Sequence, residues 1–576
     1  MNIKLDNKIS IPAKNSYIVD YLISLGIAHK DVDSFINQPK ETDQISPFKL
    51  DNMSKGIEML KRNLSKNMFL VVDSDADGYT SSSIIYNFIK YLNPEASITC
   101  YVHENKEHGV IVNTVPVMTD LVIIPDAGSN QTKEIQELVR LGMDVLVLDH
   151  HIVDEVHQEC GKSCIINNRT SLDFHNDSLS GAGVTFKFIQ GYSEANNLGN
   201  WYKSQADLAA LGIIADMMDT RNIDNNYIIK MGIRNVRNPM ILAMLRARDY
   251  SVSNILKPNP IDLAFYVAPI INGVTRMGSQ EEKERMFKGL TTLSSNNEWY
   301  DLIANECVNI KGRQDTATTK HMEKIEEILE ATDGFCNEII VFCCPEDYKI
   351  PPTITGLIAA KISNKYEKPT LILRPKTTNG VKQFSGSGRA NKVAGFSSFK
   401  EWLSSTGLMN FASGHDMAFG ASVNKDKVKE LLEFANEKLK DIPFGETETK
   451  VNYLFNNTDN FDMVKCFGEN KEIYGNTIPE PVFAFDMEVE TNKFRAIGKK
   501  LETIKISIEN LTFIRFRSII IVDKLKEITD EHSSSLISVD MIGKASINEF
   551  RGNYYPQIIL NDLDIEFVRT MSRKLF

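Results

Sequence analysis

Between residues 68 and 167 short apolar runs alternate with amphipathic stretches, and most of the runs end in a polar cluster. Phe69 to Asp73, Ile98 to Val102, Leu121 to Pro125, Val145 to Asp149 and Cys164 to Asn167 have strand length, whereas Thr80 to Leu92 and Thr132 to Leu141 carry helical spacing. Apolar runs bounded by polar turns and separated by helices predict an α/β domain with a parallel sheet. A further helix is predicted from about Ser204 to Met218.

The pattern changes on either side of this domain. Residues 1–66 carry short helical patterns at Tyr17 to Leu25, Asp31 to Ile36 and Met53 to Leu64, read as an N-terminal helical cap on the α/β domain of residues 67–235. Residues 236–333 read as a helical connector, with a break at Pro258-Asn259-Pro260, a polar turn at Asn272 to Arg276 and charged helices at Glu281 to Lys288 and Lys320 to Ala331. A second, smaller α/β pattern fills 334–442, with strands at Glu338 to Phe342 and Thr370 to Leu373 around a helix at Gly356 to Tyr366. Residues 443–576 are β-rich, with strands predicted at Val482 to Glu488, Leu501 to Ile508, Ser518 to Val522, Leu536 to Met541 and Gln557 to Leu560. A small barrel or sandwich is the expected architecture there.

In parallel sheets functional residues gather beyond the carboxyl ends of the strands. The first predicted strand ends in Asp73-Ser74-Asp75-Ala76-Asp77-Gly78, another in Asp126-Ala127-Gly128-Ser129-Asn130, and another in Asp149-His150-His151; the later helix adds Asp216. A lone Asp at a strand end is usually a turn or a helix cap, and adjacent histidines are more often accidental than catalytic. Four such clusters in one domain are harder to explain that way. Carboxylates so close repel one another and are best tolerated around a divalent cation. Several carboxylates with one or two imidazoles form a donor set for Mn²⁺ or Mg²⁺ rather than for a thiolate zinc site. Two such ions about 3.5–4 Å apart can activate water and stabilise a phosphoryl displacement, so hydrolysis of a phosphoester or phosphoanhydride is the chemistry implied.

Composition narrows the setting. The chain has 576 residues, 42% hydrophobic and 24% charged, and no apolar run approaches the ~20 residues that a membrane span requires. Met1 to Lys14 is polar rather than signal-like, and the eight cysteines are scattered as reduced thiols would be, so a cytoplasmic protein with no membrane partner is expected. Were the source viral, that cytoplasm would be the host's. Cys160 and Cys164 follow His150, His151 and His157, but Cys-x3-Cys without a second pair is a weak zinc match. The formal net charge of -11 does not suggest a nucleic-acid binder, so cations must be sought locally. Lys493, Phe494, Arg495, Lys499, Lys500, Lys505, Phe513, Arg515, Phe516 and Arg517 interleave charge with aromatic rings, as single-strand grooves do. The alternative is a solvated strand face over core phenylalanines.

At this point the four clusters resemble, in order, the four motifs of the DHH phosphoesterase superfamily. Within it the chain is similar to the RecJ family of single-strand-specific exonucleases. Leu179-Ser180-Gly181-Ala182-Gly183 resembles that family's glycine-rich helix start, and Pro269 to Arg276 the segment holding a phosphate-binding arginine. Gly386-Ser387-Gly388-Arg389 and Gly414-His415 to Gly420 resemble motifs of the DHH-associated domain, DHHA1. Gly475 to Phe483, and Gly543 to Asn548 with Gly552 and Gln557 to Asp562, resemble parts of an OB-fold, and Leu25-Gly26-Ile27 and Phe35 extend the likeness to the N-terminus.

The resemblance implies that Asp73, Asp75, Asp77, Asp126, His150 and Asp216 hold two Mn²⁺ or Mg²⁺ ions, with Asp126 bridging them. It implies that Asp149 orients a histidine, that His151 faces the scissile phosphate, and that Arg276, Ser387, Arg389 and His415 bind strand phosphates. The implied activity is 5′→3′ release of 5′-mononucleotides from single-stranded DNA in recombination or repair, by a monomer that meets single-strand-binding protein or a helicase. The strand would enter between the two α/β lobes. Three departures bear on polarity: Tyr101 to Lys106 lacks the family's arginine, Ala390 stands for a serine, and Ser413 precedes Gly414-His415 in place of a glycine. Two alternatives remain in view: a phosphodiesterase for short oligonucleotides or cyclic dinucleotides, and a catalytically silent replication scaffold.

Overall fold

Apolar strands buried on both faces need helices on both sides, and that requirement shapes the first half of the chain. The computed structural model describes residues 3–5, 16–37, 39–104, 107–153, 161–248, 252, 254–292, 296–378, 380–391, 396–442, 444, 449–459, 461–531, 535–550 and 552–570. After β1 (Ile3–Leu5) and the helices α1 (Tyr17–Ser24), α2 (Val32–Ile36) and α3 (Met53–Asn63) come the strands β2 (Asn67–Val72), β3 (Ser97–Val102), β4 (Leu121–Pro125), β5 (Asp144–Asp149) and β6 (Ser163–Asn167). They form one sheet in the order β3-β2-β4-β5-β6, with β2/β4, β4/β5 and β5/β6 parallel. Every residue of β4 and β5 is buried. The chain leaves β2 toward β3 on one side and returns to β4 on the other, so the strand order reverses between β2 and β4. Such a switch point opens a crevice at the strands' carboxyl ends. Around the sheet lie α4 (Ala76–Leu92), α5 (Thr132–Arg140), α6 (Gly181–Ala195) and α7 (Ala206–Ala215), followed by α8 (Ile223–Ile233), α9 (Pro239–Arg246) and the single turn α10 (Pro260–Asp262). Asn259 caps α10, so the predicted break at 258–260 is a helix start.

The chain divides into two compact units, one of residues 1–101, 109–268 and 448–576, the other of 102–108 and 269–447. In the second unit α11 (Ala268–Met277) occupies the predicted polar turn at 272–276. Ile270, Ile271 and Val274 are buried at helical spacing, which outweighs the local turn composition. Then follow α12 (Gln280–Thr291) and α13 (Asn297–Ala331), β7 (Ile340–Cys343), α14 (Thr355–Tyr366), β8 (Thr370–Thr378), β9 (Val381–Arg389), α15 (Phe399–Ser405), β10 (Met409–His415), β11 (Ala418–Asn424) and α16 (Val428–Leu439). The sheet order is β10-β11-β9-β8-β7, with only β7/β8 parallel.

The C-terminal part carries β12 (Thr449–Val451), β13 (Tyr453–Phe455), α17 (Asp462–Glu469), β14 (Val482–Glu490), β15 (Phe494–Ile497), β16 (Thr503–Ile508), β17 (Leu511–Arg515), α18 (Ile519–Glu531), β18 (Ser535–Phe550) and β19 (Asn553–Thr570). Seven of these strands form a mixed sheet, β13-β14-β18-β19-β17-β16-β15. Here two expectations change. The strand predicted at Ser518 to Val522 is the first turn of α18: Ile521, Val522, Leu525 and Ile528 meet the core at helical spacing, while Ile520 is 81% exposed. The N-terminal helices do not all cap the first sheet. Tyr17, Tyr21 and Leu22 of α1 and Phe35 of α2 share a core with Tyr453, Phe467 and Phe483, and β1 pairs with β12. Helix α3 packs on β5 and β6 of the first sheet and on its helix α6.

Candidate metal centre

Strands β2, β4 and β5 hand the residues at their ends to the crevice, and local geometry aims them. Asp73 follows β2, where its Oδ1 accepts from the Gly109 amide at 3.2 Å. Asp75 caps α4 and accepts from the Gly78 amide at 3.0 Å. Asp77, two residues on, is held at the start of α6: Ser180 Oγ and the amides of Gly181 and Ala182 donate to its carboxylate at 2.9, 2.7 and 3.1 Å. A helix N-terminus favours such an anion. Two glycines are sterically required here. A Cβ on Gly181 would lie 2.4 Å from Asp126 Oδ1, and one on Gly212 would lie 2.3 Å from Asp77 Oδ1.

Asp126 leaves β4 with φ of 60°, a left-handed conformation that aspartate tolerates better than most residues. Its Oδ1 lies 3.2 Å from His150 Nε2, yet is buried and accepts no hydrogen bond. His150 Nε2 is also 3.6 Å from Asp216 Oδ2 and 3.9 Å from Asp77 Oδ2. Asp149 Oδ1 takes the His151 ring Nδ1 at 2.8 Å and the His150 amide at 2.7 Å, and its Oδ2 takes the Ser129 amide at 2.9 Å. Three sets of donor atoms each fall within 4.8 Å of one another: Asp126, Asp149, His150 and His151; Asp77, His150 and Asp216; Asp73, Asp75 and Asp126.

The electrostatics fit a cation. Burial, then Asp77, Asp75, Asp73 and Asp216, pushes the Asp126 carboxyl well above the usual carboxylate range. Burial, with Asp77 and Asp75, raises Asp216 to about 8, and burial raises Asp77. So many carboxylates cannot all carry charge in this crevice without positive charge among them. Burial lowers His150, keeping its imidazole in the neutral form that ligates metal. His151 behaves oppositely, because its hydrogen bond to Asp149 raises it to about 9. Asp149 is lowered despite its burial, through the hydrogen bond and charge of His151. Oxygen-rich donors with one neutral imidazole fit Mn²⁺ or Mg²⁺. Of the weaker zinc match, Cys164 is buried in β6 against the Asn52 carbonyl, and His157 and Cys160 lie outside the described residues.

In the second unit β9 and α14 bring together two of the residues expected to bind phosphate, Ser387 and Arg389. Ser387 and Arg389 alternate onto one face of β9, opposite Ile372 and Thr370 of β8. Ser387 Oγ meets Thr355 Oγ1, at the start of α14, at 2.9 Å, and Arg389 Nη1 donates to the Gly388 carbonyl at 2.7 Å. A Cβ on Gly356 would fall 2.7 Å from Arg389 Nη2, so the guanidinium lies against that helix end. Burial, and the charge of Arg276, lower the Arg389 pKa. His415 is exposed at the end of β10, two strands across in register with Arg389 through Ala418. His103 stands in the segment that lacks the family's arginine; it is buried, with Glu107 Oε2 3.4 Å from its Nδ1, and residues 105 and 106 lie outside the described residues.

The basic and aromatic run of the C-terminal sheet divides. Phe494 and Phe513 point into the core, as the plainer alternative held, whereas Phe516, Arg495 and Arg517 are exposed. Sequence reasoning passed over Arg169. It follows the β6 strand end, is exposed, and donates its Nε to the His150 carbonyl at 2.7 Å, with its charge felt by both His150 and Asp216. The strand-end rule that found the aspartates could have found it too.

Comparison with known proteins identifies two domains that carry many of these residues. The family model of the DHH family, N-terminal domain, matches residues 67–213, and that of the RecJ OB domain matches residues 460–562. The SPbeta prophage-derived single-strand DNA-specific exonuclease YorK of Bacillus subtilis (strain 168) is 31% identical over 95% of both chains. The chain therefore belongs to the DHH family and, within it, to the RecJ-type single-strand DNA-specific exonucleases. The single-stranded-DNA-specific exonuclease RecJ of the same bacterium is 22% identical over 95% of this chain and 67% of its own. The crystal structure of RecJ in complex with Mn²⁺ from Thermus thermophilus has the same fold, with a TM-score of 0.70, 20% identity, and coverage of 98% of this chain and 79% of that one. Among the described residues no helix is long and apolar enough to cross a membrane.

Proposed function

We propose that this protein is a two-metal exonuclease that degrades single-stranded DNA from its 5′ end, releasing 5′-mononucleotides in recombination or repair. The observation that carries the reading is the convergence of Asp77, Asp126 and Asp216 on His150 Nε2 beside a second histidine held by Asp149. The names of the relatives, single-strand DNA-specific exonucleases, supply the substrate.

Asp75, Asp77, Asp126, His150 and Asp216 would hold the ions, with Asp73 as a further oxygen donor beside Asp75 and Asp126. Divalent cations bound there lower the pKa of water and offset the charge that builds on a phosphoryl group in flight. The chain's own groups do the rest. Ser180 and the α6 amides fix both oxygens of Asp77, so the carboxylate keeps its direction. Asp149 accepts the His151 Nδ1 proton, which leaves Nε2 for a phosphate oxygen. Arg276, Ser387, Arg389 and His415 bind backbone phosphates without reading sequence. The exposed Phe516, with Arg495 and Arg517, offers the C-terminal sheet a place for unpaired bases.

Polarity is tested with a time course on single strands labelled at either end, with and without a 5′-phosphate, in Mn²⁺ and in Mg²⁺. Early release of a labelled mononucleotide from the 5′ end alone is expected. Early release from the 3′ end, or activity confined to dinucleotides, would overturn the reading.

A further inference from the structure

Asp216 is the one proposed ligand that does not follow a strand; it is the C-cap of α7, and the turn after it decides where its carboxylate points. The Met217 amide donates to the Ile214 carbonyl at 3.2 Å and the Met218 amide to the Ile213 carbonyl at 3.1 Å. This pair of bonds is the helix stop that normally places glycine in the left-handed position. Here that position is Met217, with φ of 56° and a side chain 63% exposed. For a residue with a Cβ this conformation costs roughly 1–2 kcal/mol, so something must hold it there.

The holding groups come from the other end of the chain. Asn476 Nδ2 donates to the Met217 carbonyl at 2.7 Å. The Thr477 hydroxyl donates to Asp219 Oδ1 at 2.7 Å and accepts from the Thr220 amide at 2.8 Å. Its remaining contact, Thr220 Oγ1 at 2.9 Å, must then be a bond that Thr220 donates, because a hydroxyl has one proton to give and two lone pairs. Gly475 fits because a Cβ there would sit 3.1 Å from Thr220 Cγ2, and its amide closes the turn onto the Ile478 carbonyl at 2.9 Å. On the far side Asp219 is fixed by Arg221, by Ser178 Oγ on its amide at 2.7 Å, and by Asn225 Nδ2 on its carbonyl at 3.0 Å.

We infer that Asn476 and Thr477 are positioning residues for Asp216: the turn that opens the C-terminal β-domain clamps residues 217–220 and so sets the geometry of one ligand of the metal centre. The inference rests on Asp216 being a ligand. It follows that the C-terminal domain tunes metal affinity directly, apart from any contact it makes with a strand. Partners that orient a ligand typically change metal affinity by roughly 10–100-fold when they are removed.

The test titrates Mn²⁺ into the full-length protein without DNA, by calorimetry and by the electron paramagnetic resonance signal of free Mn²⁺. Asn476→Ala, Thr477→Val and Thr477→Ser are compared with the wild type and with Asp216→Asn. The inference expects Asn476→Ala and Thr477→Val to weaken one class of Mn²⁺ sites roughly 10–100-fold, in the same class as Asp216→Asn. Thr477→Ser, which keeps the hydroxyl, should bind as the wild type does. Metal-free binding of an oligothymidine strand should not change, a readout that general damage to the domain would move. Should Thr477→Val fail to fold, Asn476→Ala, which removes a single exposed amide, carries the test alone. Wild-type Mn²⁺ affinity in Asn476→Ala would overturn the inference. A wild-type protein that binds no Mn²⁺ would instead overturn the metal centre, and the inference with it.

Discussion

The aspartates around His150 and the guanidinium of Arg389 near Ser387 both meet like charge in buried surroundings, of opposite sign. In the first, burial and mutual repulsion raise Asp77, Asp126 and Asp216. In the second, burial and Arg276 lower Arg389. A fold tolerates a crowd of buried carboxylates when positive charge completes it, and the proposed function sets divalent cations among the aspartates and a strand phosphate beside Arg389. Ordinary ion pairs elsewhere in the chain, such as Lys187 with Asp224 at 2.6 Å, are internally neutral and ask for nothing.

The sharpest way to break this contrast is to remove a charge from each crowd. Asp126→Ala or His150→Ala should lower kcat by more than about 100-fold, beyond the usual effect of removing a residue that only orients a ligand. At the same time Asp126→Ala should raise the melting temperature of the metal-free protein, since a buried repulsive carboxylate is gone; a lower melting temperature with normal activity would dissolve the argument. Arg389→Ala should act on KM, with kcat/KM down roughly 10–100-fold, the worth of a charged hydrogen bond of about 1.5–3 kcal/mol. Its Mn²⁺ affinity should equal the wild type's, and inorganic phosphate should no longer raise its melting temperature. Gly181→Ala comes next. Its methyl group would press on Asp126, and overpacking of this kind costs about 1–3 kcal/mol, read as weaker Mn²⁺ binding at a retained fold.

The smallest effect separates these crowds from an ion pair that is already matched. Asp144 is buried, which would raise its pKa, but hydrogen bonds from Arg62 and Asn63 lower it. A carboxylate lowered on folding contributes stability that is complete above its unfolded value, about 3.9, and lost as pH falls through the folded value. Asp144→Asn should therefore flatten the acid end of the stability curve and cost less than about 1 kcal/mol at neutral pH. A larger loss, or one at pH 7 and above only, would contradict the assignment.

Much of the centre was legible in the sequence because its ligands follow strand ends and lie close together in the chain. Asp73 to Asp77 and Asp149 to His151 each present several donors within a few residues, and the apolar runs before them identify the strands without help from distant contacts. The same logic misled where the local signal and the fold compete. Ile519 to Val522 is β-branched and reads as a strand, but α18 is decided by Leu525 and Ile528 further on. Asn272 to Arg276 has turn composition, yet its apolar residues complete a buried helical face. The clamp on Met217 could not be read at all: Thr220 and Thr477 are 257 positions apart, and nothing in either segment announces the other.

The most direct measurement is a calorimetric Mn²⁺ titration of the wild type beside Asp126→Ala and His150→Ala. The account predicts that the wild type binds two ions and that each variant loses high-affinity binding while keeping its fold. Undiminished Mn²⁺ binding by both folded variants would contradict it.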